Sequence, residues 1–369
     1  MKPVLPGATI GLLGGGQLGR MLATAGQALG YRFISWDPLP DGPAQQVCDD
    51  SVVAAFDDAA AAARFAKACD LITFEWENVP AELAERLQAK IPVRPDPSVL
   101  RIVQDRLVQR DFLKKHGFPQ TEYRNVNDRP GLEKAFQEIG APCILKARRL
   151  GYDGKGQARL SGPRELHSIR EPLKHILERH VPFIKEVSVI LARAQDGRTA
   201  VYPIAENVHK NGILHTTLAP ARIPAGVEKT ASALAVAVAS KLRHVGVMAV
   251  EMFWLGGDGK GQLLINEIAP RVHNSGHYTW GACRTSQFEQ HIRAICGLPL
   301  GDVKQHTPAV MINLLGDLWA NGEPNWSRAR ARARLCLYGK SKPAPGRKMG
   351  HLLLLGDVER SLAQVEKLI

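Results

Sequence analysis

Residues 263–277, LLINEIAPRVHNSGH, gather more groups capable of chemistry than any other stretch of the chain. The segment begins with strand alternation at Leu263 and Ile265 and brings Glu267 to the strand end. After the break at Ala269-Pro270 it delivers Arg271, His273, Asn274, Ser275 and His277. Such groups lose hydration when packed unless something pairs with them. A carboxylate, a guanidinium, an amide and two imidazoles at one strand end suit an anionic, metal-bound ligand. A second carboxylate, Glu251, closes the apolar run 247–250. If the two strands pair antiparallel through a turn at 256–262, both glutamates lie eight residues from Gly259 and face each other. Like charges that close repel unless a divalent cation lies between them. Magnesium takes oxygen ligands and keeps nucleotide phosphates as co-ligands, so Glu251 and Glu267 are read as a metal pair. The plain structural alternative is an exposed cross-strand pair.

Two heptapeptides, GYDGKGQ at 151–157 and GGDGKGQ at 256–262, differ at one position, and context separates them. The first follows a strand ending at Lys146 and the basic pair Arg148-Arg149. Its glycines free backbone N–H groups to cradle phosphate oxygens, while Lys146 supplies a point charge. It is not a Walker loop, because no Ser or Thr follows Lys155. The second puts Asp258-Gly259 between two strands, which is hairpin-turn chemistry. Near the start, Gly14 to Gly19 satisfies G-x-G-x-x-G between a strand and a helix, and Asp37 follows Gly19 by 18 residues. This is the dinucleotide fingerprint, acidic residue included. On that segment alone, a nicotinamide oxidoreductase and another use of the same tight turn stand equally open.

These residues need elements to place them. Strand patterns at 8–13, 32–36 and 71–74 alternate with helical patterns at 17–29, 59–68 and 81–88. That rhythm predicts a parallel sheet covered on both faces. A Pro-rich connector at 92–97 leads into one helix over 99–116, closed by Gly117 and Pro119. The middle reads as mixed. A strand at 143–146, a helix around 164–170 and a strand at 186–191 precede a hairpin turn at Asp196-Gly197 and a strand at 199–203. A long helix at 229–245 and strands at 247–254 and 262–268 follow, and short strands with Pro/Gly turns end the chain. The fold class is α/β, with an α+β central part.

The 369 residues exceed one ordinary core, so two or three domains are expected. Hydrophobic content of 45% and charged content of 23% describe a globular chain. No apolar run approaches the ~20 residues that span a bilayer. The N-terminus enters a strand without a signal-peptide layout, and six cysteines show no C-x-x-C. The expectation is reduced thiols in a cytoplasm, with no zinc site and no membrane partner. The formal charge of +12 fits phosphorylated substrates as well as nucleic acid. With aromatics at only 6% and no stacking platform or recognition helix, nucleic acid is not an expected partner.

Taken together, Lys146, GYDGKGQ, Glu178 in ILERHVPF, Glu186 in KEVSVI, Glu251, Glu267 and NEIAPRVHNSGH resemble an ATP-grasp enzyme. From GGGQLGRM near the start to GRKMGHL near the end, the chain more closely resembles the N5-carboxyaminoimidazole ribonucleotide synthetases of purine biosynthesis. That resemblance implies a Rossmann-like preATP-grasp domain at 1–105, an ATP-grasp domain at 106–300 with a lid at about 123–203, and a small C-terminal domain at 301–369. It implies that Arg106, Lys146 and the loop Gly151, Tyr152, Asp153, Gly154, Lys155, Gly156 and Gln157 contact ATP phosphates. Glu178, Arg179, His180 and Val181 would form the adenine hinge, Glu186 would bind ribose, and His209 would join the nucleotide site. Glu251 and Glu267, with Asn266 beside them, would carry magnesium-ATP, manganese being the alternative ion. The ribonucleotide would lie on Gln17, Leu18, Glu75, Arg271, His273 and Asn274, with its 5′-phosphate on Lys340, Arg347 and Lys348. Lys146, Arg271 and His273 are the expected catalytic groups.

Two departures from the wider superfamily stand out. Ala269 occupies the position where many ATP-grasp enzymes place a metal-binding Asn, and Arg179 replaces an often acidic or amide hinge residue. The implied reaction is ATP-dependent carboxylation of 5-aminoimidazole ribonucleotide by bicarbonate through carboxyphosphate, in a cytoplasmic homodimer. The rivals are another ATP-grasp ligase, such as a formate-using glycinamide ribonucleotide transformylase, and the NAD-dependent oxidoreductase.

Overall fold

A computed structural model describes residues 2–151, 156–170, 173–257, 263–327, 333–358 and 360–362. Strands β1 (Thr9–Leu13), β2 (Arg32–Asp37), β3 (Asp50–Val53) and β4 (Leu71–Phe74) form a parallel sheet in the order β3-β2-β1-β4. Helices α1 (Gln17–Ala28), α2 (Ala59–Ala68) and α3 (Ala81–Gln88) alternate with them, as the sequence rhythm predicts. Strand β3 escapes the sequence reading, because DSVV lies at an edge and only Val52 is even partly buried.

The single helix expected over 99–116 is two helices, α4 (Pro97–Val103) and α5 (Arg106–Lys115). Asp105 is extended (φ −122°, ψ 114°) and its carboxylate accepts the Leu107 N–H, so it caps a new helix instead of continuing the old one.

A small antiparallel sheet follows, built from β5 (Tyr123–Val126), β6 (Cys143–Ala147), β7 (Gln157–Leu160) and β8 (His175–Arg179) in the order β5-β8-β6-β7. Helix α6 (Arg129–Ile139) packs on it, capped by Asp128. The helix expected around 164–170 is a 3-10 turn at Pro163–Ser168.

The remaining strands make one large antiparallel sheet. They are β9 (Lys185–Arg193), β10 (Thr199–Val201), β11 (Ala205–Lys210), β12 (Ile213–Ala219), β13 (Gly246–Trp254), β14 (Leu263–Ala269), β15 (Ala309–Leu315), β16 (Arg334–Leu337) and β17 (Lys348–Leu355). The order is β14-β13-β9-β11-β12-β15-β17-β16, with β10 also on β9. Residues 123–203, expected as the lid, hold the small sheet and also β9, a mostly buried strand paired with β13 along its full length. The segment expected as a small C-terminal domain joins the large sheet through the pairing of β15 with β12.

The two faces of β9 and β13 carry different cores, as strand alternation demands. Val189, Leu191, Met248 and Val250 pack under α7 (Ala225–Lys241), with Val227, Ala231 and Ala235. Ile190, Ala192, Val247 and Ala249 pack against α9 (Gln287–Cys296) and reach the N-terminal sheet through α1. The short helix α8 (Thr279–Ala282) lies between that core and β17. On this second face the next residues along the strands are polar: Glu251 on β13, Ser188 and Glu186 on β9. The site begins where this core ends. Among the described residues, no helix is long and apolar enough to cross a membrane. All six cysteines are free thiols.

Candidate active site

Glu251 and Glu267 are register partners on β13 and β14. A bulge follows at once, since Met252 pairs with Ile265 and leaves Asn266 as the extra residue. Of the turn expected at 256–262, residues 258–262 lie outside the described residues. Burial pushes the Glu251 carboxyl up to about 7, with Glu267 and Glu186 pushing the same way against His209 and Lys348. A carboxylate that costly to ionise is short of positive charge. His273 Nε2 lies 3.7 Å from Glu251 Oε1, but its ring is neutral and brings no compensating charge. Two facing carboxylates, one of them this costly to ionise, fit a hard divalent cation.

Around the pair runs a chain of alternating charges. Arg106 Nη1 lies 2.9 Å from Glu267 Oε2, and its Nη2 donates to the Gly151 carbonyl at 3.3 Å. Lys146 Nζ donates to Asn266 Oδ1 at 3.5 Å and lies 2.7 Å from Glu178 Oε2. The other Glu178 oxygen takes Arg110 Nε at 2.7 Å. Burial alone would raise the Glu178 carboxyl, yet Arg110 and Lys146 hold it at about 2. Burial likewise lowers the Lys146 ammonium, with Glu178 opposing. Glu178 therefore anchors both Arg110 and Lys146 at the site. Arg110 is absent from the sequence reading; its position four residues after Arg106, on the same helical face, was the available signal.

On β9 and β11 the expected pair Glu186 and His209 touch through His209 Nδ1. Burial lowers the imidazole's pKa, but Glu186 outweighs it and the net shift is upward. Arg271 is clamped by Glu77, a residue missed in the sequence although it sits two positions after Glu75. Burial opposes both charges; Glu77 holds the Arg271 guanidinium up and Arg271 holds the Glu77 carboxyl down. Burial and then Arg271 depress His273 well below its ordinary value, so its imidazole is neutral. Its Nδ1 lies 2.9 Å from Ser275 Oγ.

The N-terminal glycine turn has its own anions. Glu75 accepts the Gly16 N–H at 2.8 Å and the Gly19 N–H at 3.1 Å, and Asp37 accepts the Gly15 N–H at 2.8 Å. A Cβ on Gly16 would fall 2.5 Å from Glu75 Oε1, which explains glycine there. The donors and the acidic residue of the dinucleotide fingerprint are thus occupied internally, and the oxidoreductase reading loses its motif. Gln17 and Leu18 lie in the first turn of α1, where N–H groups lack a carbonyl four residues back. The Leu18 side chain belongs to the core.

The structure spreads the other expected residues around this centre. Arg179 is exposed and paired with Glu122, and the His180 N–H donates to the Pro142 carbonyl. Val181 is buried. Gln157 pairs with Lys146 across β6 and β7, and the Gly156 carbonyl accepts the Ala147 N–H at 2.7 Å. Tyr152, Asp153, Gly154 and Lys155 lie outside the described residues. Asn274 exchanges amide hydrogen bonds with Asn313 at 3.0 and 2.7 Å, fixing the 273–277 segment to β15. Lys340 Nζ donates to the Lys348 carbonyl at 2.7 Å, and the charge of Lys348 is felt by Glu251, His209 and His273. Arg347 is exposed in the turn before β17.

The ATP-grasp domain model matches residues 111–288, the ribonucleotide synthetase preATP-grasp domain residues 7–104, and the phosphoribosylaminoimidazole carboxylase C-terminal domain residues 309–365. The N5-carboxyaminoimidazole ribonucleotide synthase of Brucella melitensis is 45% identical over 359 residues, covering 94% of this chain and 96% of its own. A solved N5-carboxyaminoimidazole ribonucleotide synthetase in complex with ADP matches with a TM-score of 0.94 at 40% identity, over 100% of this chain and 98% of its own. The N5-carboxyaminoimidazole synthase of Aspergillus clavatus, solved with ADP and 5-aminoimidazole ribonucleotide, gives 0.86 at 30%, over 98% and 97%. With an ATP-grasp centre and likeness along its full length, the chain belongs to the N5-carboxyaminoimidazole ribonucleotide synthase family.

Proposed function

We propose that this protein is a carbon–nitrogen ligase that joins bicarbonate to the exocyclic amine of 5-aminoimidazole ribonucleotide, consuming ATP and releasing ADP and phosphate. The observation that carries this reading is the facing pair Glu251 and Glu267, set beside Arg106, Lys146 and the start of the glycine loop. Relatives solved with ADP, and with ADP and 5-aminoimidazole ribonucleotide, support the two nucleotide substrates.

Glu251 and Glu267 would hold magnesium, with manganese as the alternative ion. The bound ion supplies charge neutralisation on the polyphosphate. Arg106 and Lys146 present fixed positive charge to the phosphates, as do the backbone N–H groups of the loop that starts at Gly151. Adenine is held on the hinge from Glu178 to Val181, whose first residue is fixed in place by Arg110 and Lys146. Glu186, oriented by His209, is placed for ribose hydroxyls.

A bicarbonate oxygen attacks the γ-phosphorus, the bond to the β,γ-bridging oxygen breaks, and carboxyphosphate and ADP form. Arg271, kept charged by Glu77, offsets charge on the transferring group. The amine nitrogen then takes the carboxyl carbon and phosphate leaves. Neutral His273 accepts the amine proton. Lys340, Arg347 and Lys348, at the entrance to β17, hold the 5′-phosphate. The small sheet covers the reacting centre and excludes water, which would otherwise destroy carboxyphosphate. The active form is a cytoplasmic homodimer. The test is ADP formation with ATP, magnesium and bicarbonate. The rate should rise when 5-aminoimidazole ribonucleotide is added, and an unchanged rate would refute the assignment.

A further inference from the structure

The break between α4 and α5 is where three separate parts of the site meet. Gln104, Asp105 and Arg106 are consecutive, and each holds a different partner. Gln104 accepts from Arg149 Nη2 at 3.1 Å, and its own amide donates to the Glu77 and Val79 carbonyls at 2.7 and 2.6 Å. Asp105 receives Arg148 in a fork: Nε at 2.9 and 3.1 Å to the two carboxylate oxygens, and Nη2 at 2.5 Å to Oδ2. The Arg106 N–H donates to the Arg148 carbonyl at 2.8 Å, while its guanidinium spans Glu267 and the Gly151 carbonyl.

Helix capping does not require this arrangement. One Asp105 oxygen suffices for the Leu107 N–H, and a neutral Asn would serve equally well. The fork instead fixes both the position and the plane of the Arg148 guanidinium, as bidentate charged pairs do. Asp105 is buried, so the pair is largely shielded from solvent screening. Arg148 is also the residue from which the chain leaves β6 for the glycine loop, and its N–H is tied to the Lys174 carbonyl at 3.0 Å.

We infer that Asp105 and Arg148 are positioning residues that latch the entrance of the glycine loop, residues 148–151, to the helix break that carries Arg106. The latch sets the distance between residues 148–151 and the Glu251–Glu267 pair, with Arg106 spanning the gap. Neither residue touches the reacting atoms. The inference rests on the ligase reading for its ligand, and its test is built on ADP binding, so that the two can fail separately.

The experiment uses the full chain and three variants: Asp105→Asn, which keeps the cap acceptor, Arg148→Gln, and the double variant. Thermal unfolding confirms that each is folded. Calorimetric titration with Mg-ADP should show affinity weakened about tenfold or more in each single variant, the range expected when a hydrogen bond between charged groups is lost. The double variant should be no weaker than the worse single, because both changes break one interaction. The KM for 5-aminoimidazole ribonucleotide should stay at the wild-type value. Additive losses, or wild-type affinity for Mg-ADP in folded Asp105→Asn, would overturn the latch. A wild-type protein that binds Mg-ADP normally but shows no ribonucleotide-dependent turnover would overturn the ligase reading and leave the latch standing.

Discussion

Glu251 and Glu267 stand opposite each other across β13 and β14, and the residue beside Glu267, the bulged Asn266, receives Lys146 from the small sheet. Two acidic groups and a cation from a different sheet thus converge on one spot. The bulge is the structural reason. In an unbroken ladder neighbouring side chains point to opposite faces of the sheet, and the extra residue relaxes that alternation at Asn266 and Glu267.

Glu251→Gln separates the metal role from the fold. The Glu251 carboxyl, at about 7, lies above its ordinary 4.5. The folded state therefore binds more protons than the unfolded chain between these values, and stability falls as pH rises through that window. In a chelator, the melting temperature of Glu251→Gln should decline less than that of wild type between pH 5 and about pH 8. With magnesium present, the variant should lose turnover. Equal pH profiles, or an active variant, would count against the metal pair.

Glu178→Gln should be costly to the fold. Glu178 is buried between Arg110 and Lys146, and neutralising it leaves two buried cations uncompensated. Breaking a buried pair by removing one partner destabilises by about 3–5 kcal/mol. Urea unfolding measures this loss. A loss no larger than that of an exposed pair such as Arg284–Asp302 would show that Glu178 is not the anchor described above.

Parts of this design are legible in sequence and parts are not. Helices α2 and α3 and strand β4 match their patterns to the residue, because local apolar periodicity specifies them. The Glu251–Glu267 pairing follows from equal spacing about Gly259. By contrast, Asp105 reads as a helix-interior residue until its fork with Arg148, 43 residues away, is seen. The ion pairs of Glu178 with Arg110 and Lys146 are likewise not legible in the sequence. The glycine turn leaves dinucleotide binding and another use equally open until Glu75, 59 residues from Gly16, fills it. Each miss is a long-range polar contact, which spacing along the chain does not encode.

The joint between the N-terminal sheet and the large sheet should be acid-sensitive. His291 on α9 accepts the Val247 N–H at Nδ1, 3.0 Å away, and its Nε2 lies 2.9 Å from Thr73 Oγ1 on β4. Burial holds His291 down at about 3 and His244 at about 4. Both lie below the ordinary 6.5, so the unfolded chain binds more protons than the folded one over that range. Stability is complete above the ordinary value and is lost as pH falls toward these values. The melting temperature should drop between about pH 7 and pH 4, and less steeply in His291→Gln. A flat wild-type profile would contradict neutral burial.

Charge removal at the start of β17 should act on one substrate only. Arg347→Gln and Lys348→Gln should each raise the KM for 5-aminoimidazole ribonucleotide by about tenfold or more, as expected for a lost charged hydrogen bond, and leave that for ATP nearly unchanged. Steady-state kinetics with each substrate varied in turn gives the comparison. Equal effects on both would move the 5′-phosphate site elsewhere.

The most direct measurement follows oxygen. With bicarbonate labelled by heavy oxygen, attack on the γ-phosphorus leaves one bicarbonate oxygen on the phosphate released. The account predicts that mass spectrometry finds singly labelled phosphate, formed in step with ADP and dependent on 5-aminoimidazole ribonucleotide. Unlabelled phosphate formed at the same rate would contradict it, because ATP would then be consumed without ever activating bicarbonate.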